Sequence, residues 1–453
     1  MKINIWVRAG LFVLLLTAFS GIAAQVPGTF ILPLKEIPKM RNVFGGTGND
    51  EMFSIVRTSD GGYATAGYTY SNDGDVSGNN GPSDFWVIKY NSRGSMVWQK
   101  TFGGTSDDNA RSIIQTSDGG YAIAGYSISN NGNVSGNHGS VDMWIIKISS
   151  SGALQWQRSL GGTNLDYAYS IVQSTDGGYA VAGETKSNNG DVSGNHGARD
   201  LWVVKLSSTG TLQWQKTFGG TDDEVAKSII ATADGGYAIA GYTRSNDGDA
   251  SGNQGDRDFW VIKINSAGTL QWQKTFGGPL VDSAATIVQN TDGSYTVAGD
   301  ISLSSGNVVG TRDFWVIKIS STGALQWQKT FGGTGHDWAN SVIQTTDGGY
   351  VVAGYTGSND GDVSGNHGNY DLWIVKISSS GALQWQRALG GTDFDAASSV
   401  IQSANGRYVV VGYSSATDGD IKGPANGLRD AFIVNLDTNG NIVLLYDYDD
   451  TAP

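Results

Sequence analysis

One stretch of the chain, residues 258–278, reads DFWVIKINSAGTLQWQKTFGG. Its first seven residues are mostly β-branched, aromatic or aliphatic. Four turn-forming residues follow, and a second apolar run then ends at a Gly-Gly pair. Two such runs around a short Gly-containing turn are typical of antiparallel strands joined by a hairpin. The stretch therefore predicts the last two strands of a β-sheet unit.

The same unit recurs along almost the whole chain. Upstream, Asp234-Gly235-Gly236 marks another hairpin between two further apolar runs, which gives four strands per unit. The Gly-Gly pair begins at positions 45, 103, 161, 219, 277, 332 and 390, in steps of 58 residues with one step of 55. Units that cannot bury their apolar faces alone must stack. The repeat predicts an all-β fold, a seven-bladed β-propeller with four antiparallel strands per blade.

The segments that flank the repeats predict the domain boundaries. Residues 1–24 combine basic Lys2 and Arg8 with an apolar run and small residues up to Ala24, which is the pattern of a secretory signal peptide. Residues 25–39 are assigned to a linker, 40–448 to the propeller and 449–453 to a tail. We expect an exported, periplasmic or extracellular monomer with no transmembrane segment in its mature form.

Composition excludes several partners and chemistries. The net charge is −13, and removal of Lys2 and Arg8 with the signal would make it −15. Such a surface repels phosphate backbones, so nucleic acid is not an expected partner. The chain contains 0 cysteines, which excludes disulfides, thiolate metal sites and cysteine nucleophiles.

Both ends of the repeat region resemble the fourth strand of a blade. Val43 and Phe44 precede the first Gly-Gly pair as Thr217 and Phe218 precede the fourth, and residues 441–446 match the same strand. We expect the C-terminal segment to complete the last blade and residues 40–44 to cap or extend its edge.

The long loops predict the functional face. Antiparallel order places the loops after the second and fourth strands of every unit on one face, and functional residues favour long loops on a rigid scaffold. An acid follows each Gly-Gly pair and is predicted to ring the channel entrance, either capping backbone amides or sharing a cation. These channel-entrance acids are Asp50, Asp108, Asp166, Glu224, Asp282, Asp337 and Asp395.

The loop after the second strand, SNDGDVSGN at residues 71–79, predicts a candidate calcium site. Closely spaced carboxylate and amide oxygens with glycines suit Ca²⁺, and an Asx-turn held by its own side chains is the alternative. The candidate ligands are Asp73, Asp75, Asp247, Asp249, Asp360 and Asp362. No other cofactor and no catalytic residue is predicted.

Two features depart from the repeat. The fifth unit replaces the long loop by residues 304–307, which predicts a notch on the loop face. His336 and Trp338 have no counterparts at their positions in the other units, so they are weak candidates for a site.

Two families resemble these units. Residues 260–272 are similar to the third strand, turn and fourth strand of quinoprotein-type propeller repeats. Residues 234–237 and 272–274, with Gly277-Gly278, more closely resemble repeats of secreted, Bacteroidetes-type bacterial surface proteins. The resemblance spans residues 41–448 and implies the propeller fold and export. Fold alone does not define function.

Together these features predict a non-enzymatic exported scaffold that binds a protein or glycan partner through its long-loop face. The alternative is a Ca²⁺-dependent, lectin-like or polysaccharide-processing protein.

Overall fold

The structure is a computed structural model, and it confirms the seven-bladed β-propeller. It describes residues 43–305, 308–421 and 428–443, with backbone only for 303–305 and 308–310. The chain divides into Met1–Lys39 and Met40–Pro453. The predicted signal peptide, linker and tail lie outside the described residues. Among those residues there is no helix both long and apolar enough to cross a membrane.

Seven four-stranded antiparallel sheets form the blades, whose strands are A to D from the channel outward. Blade 1 contains β2 (Asp50–Arg57), β3 (Tyr63–Thr69), β4 (Asp84–Tyr90) and β5 (Met96–Phe102). Blade 2 contains β6 (Asp108–Gln115), β7 (Tyr121–Ser127), β8 (Asp142–Ile148) and β9 (Leu154–Leu160). Blade 3 contains β10 (Asp166–Gln173), β11 (Tyr179–Thr185), β12 (Asp200–Leu206) and β13 (Leu212–Phe218). Blade 4 contains β14 (Glu224–Ala231), β15 (Tyr237–Thr243), β16 (Asp258–Ile264) and β17 (Leu270–Phe276).

The remaining three blades include the one that closes the ring. Blade 5 contains β18 (Asp282–Gln289), β19 (Tyr295–Ser305), β20 (Val308–Ile319) and β21 (Leu325–Phe331). Blade 6 contains β22 (Asp337–Gln344), β23 (Tyr350–Thr356), β24 (Asp371–Ile377) and β25 (Leu383–Leu389). Blade 7 contains β26 (Asp395–Gln402), β27 (Tyr408–Ser414), β28 (Asp430–Leu436) and β1 (Val43–Phe44).

The apolar core lies between neighbouring blades. Phe85 of blade 1 and Trp144 of blade 2 are fully buried, and their ring centroids are 4.5 Å apart. The indole N–H of Trp144 donates to Gln157 Oε1 at 2.9 Å, so burial leaves its polar atom satisfied. Trp98 of blade 1 packs on Tyr121 of blade 2 at 6.0 Å. Large rings at fixed strand positions therefore join each blade to the next.

A lysine locks the A–B hairpin in six blades. In blade 4, Lys263 Nζ lies 2.9 Å from Asp234 Oδ2 and donates to the Ile264 carbonyl. Burial alone would raise the pKa of Asp234, but hydrogen bonds from Thr232 and Lys263 lower it to about 2. The other pairs are Lys89–Asp60, Lys147–Asp118, Lys205–Asp176, Lys318–Asp292 and Lys376–Asp347. Blade 7 has Asn405 and Asn435 at these two positions.

One β-bulge interrupts every A strand. In blade 4, Ala226 pairs with Gly241 and Ser228 with Ala240, which leaves Lys227 without a partner on β15. The same shift occurs in the other six blades. A Cβ on Gly241 would lie 1.8 Å from the Val225 carbonyl oxygen, so only glycine fits opposite the bulge. A bulge re-aims the side chain of its extra residue.

The ring closes differently from our prediction. Val43 and Phe44 pair with Phe432 and Ala431 in the D position of blade 7, so the N-terminal segment takes the place predicted for the C-terminal one. Residues 444–446 of the C-terminal segment lie outside the described residues. From the C-terminal segment, Ile442 bridges to Leu436 at the other end of the same strand. Each terminal segment thus pairs with one end of β28. Both carry the same fourth-strand pattern, which is why the pattern could not separate them.

Blade 5 extends its hairpin where the other blades have a long loop. The backbones of β19 and β20 pair from Tyr295↔Ile319 as far as Ser305↔Val308. At the predicted notch, two extended strands replace the long loop that follows the second strand in the other blades.

Candidate ligand-binding site in the channel

The bulges place one side chain from every blade around a single cavity. This cavity has a volume of about 440 Å³ and lies in the channel. We call these seven the bulge residues, and they are Phe53, Arg111, Tyr169, Lys227, Ala285, Asn340 and Ser398. The cavity is a concave site whose lining combines aromatic rings with charged and polar side chains, as sites for small ligands do.

The bulge residues are all different, whereas their neighbours hardly vary. The preceding residue is alanine in six blades and Met52 in blade 1, and the following residue is serine in six and Thr286 in blade 5. In a repeat protein, positions held constant across copies serve packing that every copy needs. The variable bulge position is therefore free to serve a ligand.

Blades 2 to 4 form the cationic side of the cavity. Lys227 Nζ lies 4.0 Å from the centroid of the Tyr169 ring. The Tyr169 hydroxyl donates to Glu184 Oε1 at 2.8 Å, and Arg199 donates to Glu184 Oε2 at 2.8 Å. The Arg111 guanidinium lies 4.2 Å over the ring of Phe53. Aromatic faces thus hold both cations in position.

Burial perturbs the lysine of this side. Burial, together with the charges of Arg111, Arg257 and Arg199, outweighs the carboxylate of Glu184 and lowers the pKa of Lys227 to about 8. A lysine forced toward neutrality by burial and like charges is typical of functional sites.

Blades 6 and 7 form the aromatic side. Trp338 stacks on Tyr355 with a centroid distance of 4.9 Å, and the His336 ring lies 5.2 Å from Trp338. Tyr355 and Tyr413 also line the cavity. Sequence analysis selected His336 and Trp338 because they depart from the repeat, and the structure places Trp338 in the cavity wall.

Asp300 of blade 5 is the acid that lines the cavity. It lies 3.2 Å from an Arg312 nitrogen, but its Oδ2 accepts no hydrogen bond from a described residue. Burial raises the pKa of Asp300 to about 7 despite the neighbouring Arg312. Blade 3 has Glu184 at this position and the other five blades have tyrosine, but Glu184 does not line the cavity.

A second, smaller groove adjoins the cavity and is lined by residues of blades 1 to 3. Its volume is about 260 Å³, and Arg111 lines both spaces. Tyr68, Tyr126 and Tyr167 line it together with Asp107, and Tyr70 and Ile128 are among its exposed apolar groups. A ligand too long for the cavity could therefore extend along this groove.

The structure buries the seven predicted channel-entrance acids inside the blades. Asp166 is typical, because its Oδ2 accepts from Gly162 N at 2.8 Å and from Ser187 Oγ at 2.7 Å. In all seven blades the acid accepts from the second glycine of the Gly-Gly pair. None of these acids lines the cavity. Their geometry is that of caps on the D–A loop, the first of the two alternatives considered.

The candidate calcium ligands lie against the same D–A loops. Asp73 accepts from Thr47 N at 2.8 Å and Thr47 Oγ1 at 3.0 Å, and Asp75 accepts from Gly45 N at 3.2 Å. Asp247 and Asp249, and Asp360 and Asp362, repeat these contacts. Within the described ranges, no three His, Cys, Asp or Glu side chains come together as a metal site would need. Calcium binding remains a prediction.

A second acid faces the capping acid at each blade junction. A Cβ on Gly103 would lie 2.3 Å from Asp84 Oδ1 and 2.6 Å from Asp108 Oδ2, so the two carboxylates flank that glycine. Asp84 Oδ1 is buried and accepts no hydrogen bond from a described residue. Burial, with the nearby Asp108 carboxylate, raises the pKa of Asp84 to about 6. These pairs connect the protein's stability to pH.

Sequence reasoning missed the bulge residues. It searched the loops, whereas the cavity is built from the middle of the inner strands. Aligning the seven units would show the signal, one position that differs in every unit between two nearly constant ones.

No protein family model matches the chain. The chain is 25% identical over 219 residues to the regulatory protein FlaEY of Caulobacter vibrioides, a match that covers 44% of this chain and 23% of that protein. It therefore spans less than a quarter of the length of that curated relative.

Among solved structures, the chain is similar to a protein of unknown function from Bacteroides caccae, with 13% identity and a TM-score of 0.40 over 67% of this chain and 89% of the other. It is also similar to the WD40 β-propeller domain of Doa1, with 12% identity and a TM-score of 0.48 over 86% and 94%. The propeller assignment rests on strand pairing, and these likenesses add nothing to it.

Proposed function

We propose that the protein is a non-enzymatic binding scaffold that holds a glycan partner at the long-loop end of its channel. One observation carries the proposal: the bulge residues differ in all seven blades, and they converge on one cavity. Aromatic walls with a few charged groups are what a sugar ligand needs for stacking and orientation.

A printed array of plant, algal and host glycans tests this proposal. The fluorescently labelled protein should bind a restricted set, and Phe53→Ala and Trp338→Ala should abolish or weaken that binding. Alanine is compatible with both positions, because Ala285 and Ala396 occupy them in other blades. Leu325→Ala, on the exposed outer strand of blade 5, is the control and should bind normally. Silence on the whole array would reject glycan binding and leave a protein partner.

We also propose that the protein acts outside the cytoplasm after loss of residues 1–24. The basic, apolar and small-residue pattern of this segment supports export. N-terminal sequencing of protein recovered from the cell envelope and medium should begin after Ala24. An intact N-terminus found only in the cytoplasm would contradict export.

A polysaccharide-processing enzyme is the second candidate, and the lowered pKa of Lys227 and raised pKa of Asp300 favour it. Release of new reducing ends from a bound polysaccharide, lost in Lys227→Met, would establish it. Calcium dependence is tested separately by calorimetric titration with Ca²⁺ beside a melting curve. No heat and no change in melting temperature would reject it.

A further inference from the structure

Among the described residues that line the cavity, Arg111 and Lys227 are the basic ones and Asp300 is the acid. Three basic residues near the cavity are paired: Arg199 with Glu184 at 2.8 Å and with Asp223 at 3.7 Å, Arg312 with Asp300 at 3.2 Å, and Arg429 with Glu51 at 2.8 Å. Three others form no ion pair with a described carboxylate, and these are Arg111, Lys227 and Arg257. All three are on blades 2 and 4, on the same side of the channel.

The unpaired cations have unused hydrogen-bond donors. The Nε atoms of Arg111 and Arg257 are buried and donate to no described residue. Lys227 faces the ring of Tyr169 and has no hydrogen bond to a described residue. A buried donor without an acceptor is costly, and an anion would remove that cost.

This local charge is opposite to that of the whole molecule. The chain carries a net charge of −13, so its surface as a whole repels anions. The basic residues of the cavity are therefore a local exception to the charge of the molecule. Positive charge concentrated at one site of an otherwise acidic surface favours a ligand with a specific anionic group.

The aromatic side of the cavity indicates that the anion belongs to a larger ring-bearing ligand. Trp338, Tyr355 and Tyr413 stand across from the cations, and the groove lined by Tyr68 and Tyr126 leads outward. Sugar rings present apolar C–H faces that pack on aromatic rings. A small inorganic anion would use the cations and leave these surfaces empty.

We propose that the channel cavity binds an acidic sugar unit of a glycan, with its carboxylate or sulfate group at Arg111 and Lys227 and its ring against the aromatic side. The inference rests on the proposed glycan-binding function and adds the charge of the ligand. Arginine and lysine bind both carboxylate and sulfate groups. The experiment therefore compares a carboxylated sugar with a sulfated one.

Calorimetric titration with four probes tests the inference: a galacturonate trisaccharide, a sulfated galactose trisaccharide, the neutral galactose trisaccharide and a glutamate-rich peptide. We expect one acidic trisaccharide to bind at least tenfold more tightly than the neutral one. Lys227→Met should weaken it roughly tenfold or more. Lys274→Met is the matched control, because it removes the same charge from an exposed position on the outer strand of blade 4.

A pH series adds an independent readout. Affinity for the acidic trisaccharide should fall as pH rises above about 8, because Lys227 then loses its proton, and Lys227→Met should remove this dependence. Whichever acidic sugar binds identifies the anion.

Four results would overturn the inference in distinguishable ways. Equal binding of neutral and acidic trisaccharides rejects the charge assignment and leaves the glycan function intact, as does equal loss in Lys227→Met and Lys274→Met. Binding of the glutamate-rich peptide alone rejects the glycan in favour of an acidic protein segment. Binding of none of the probes, together with silence on the glycan array, rejects the proposed function and this inference together.

Discussion

Two positions on each inner strand, three residues apart, follow opposite rules. The first residue of strand A is an acid in every blade, buried and bonded to the loop before it, as Asp166 is to Gly162. The bulge residue, Tyr169 in the same strand, differs in every blade and faces the cavity. In this protein, sameness across the copies marks the scaffold, and difference marks the place where a ligand can be chosen.

The glycine opposite the bulge offers the strongest way to break this comparison. Gly241→Ala places a Cβ 1.8 Å from a carbonyl oxygen, so the bulge must shift or the blade must open. We expect a loss of more than about 4 kcal/mol of unfolding free energy, or failure to fold. Denaturant unfolding measures it. Gly278→Ala is the control, because a Cβ there has no atom within 4 Å. Equal effects of the two substitutions would reject the role of the bulge.

The comparison itself is tested by substitution at both of its positions. Asp166→Ala leaves the Gly162 amide and the Ser187 hydroxyl without an acceptor and should cost about 3 kcal/mol. Phe53→Ala, at a bulge, should cost less than about 1 kcal/mol. Thermal melting of both variants checks the order. The reverse order would mean that the bulge residues serve the scaffold.

Blade 7 has two asparagines in place of the lysine–aspartate pair of the other hairpins, which suggests a test of that pair. Asp234→Ala leaves buried Lys263 without its carboxylate and should cost about 2 kcal/mol. The double variant Asp234→Asn with Lys263→Asn copies Asn405 and Asn435 of blade 7 and should cost less than half as much. If the double variant proves the less stable by chemical unfolding, the lysine is held by packing rather than by charge.

The smallest expected effect concerns pH. Burial, with the Asp337 carboxylate, raises the pKa of Asp313 to about 7, since blade 5 lacks the long loop whose backbone amide binds the corresponding acid elsewhere. A pKa raised in the folded state gives stability that is complete below about pH 4 and lost as pH rises through about 7. Asp313→Asn removes that loss. The melting temperature of the variant minus that of the parent should therefore increase by a few degrees as pH rises from about 5 to about 8.

Asp292 of the same blade provides the opposite sign. Hydrogen bonds from Lys318 and Ser294 lower its pKa to about 2. Asp292→Asn should therefore be less stable than the parent above about pH 4, and the difference should shrink as pH falls toward 2. If both variants respond to pH in the same direction, the two assignments are wrong.

The strands followed from local chemistry, because a hairpin such as Asp234-Gly235-Gly236 and a run such as 259–264 each determine their own conformation. Ring closure did not follow, because segments at both ends match one strand equally well and only tertiary pairing selects between them. The cavity could not be predicted from the sequence either. The bulge at Lys227 depends on the register between β14 and β15, which the periodicity of the sequence does not reveal. For Asp50 the sequence leaves both capping and a shared cation open, and in the structure its buried carboxylate accepts a hydrogen bond from Gly46 N.

The pairing of β1 with β28 joins the first described strand to the last. During synthesis the chain emerges from its N-terminus, so β1 must wait for its partner until all the strands between β1 and β28 have been made. Six blades can assemble as an open arc, with one apolar flank uncovered at each end. Contacts so distant in sequence form slowly. Completion of the ring should therefore be the late kinetic step of folding, and the uncovered arc should be the species most exposed to aggregation.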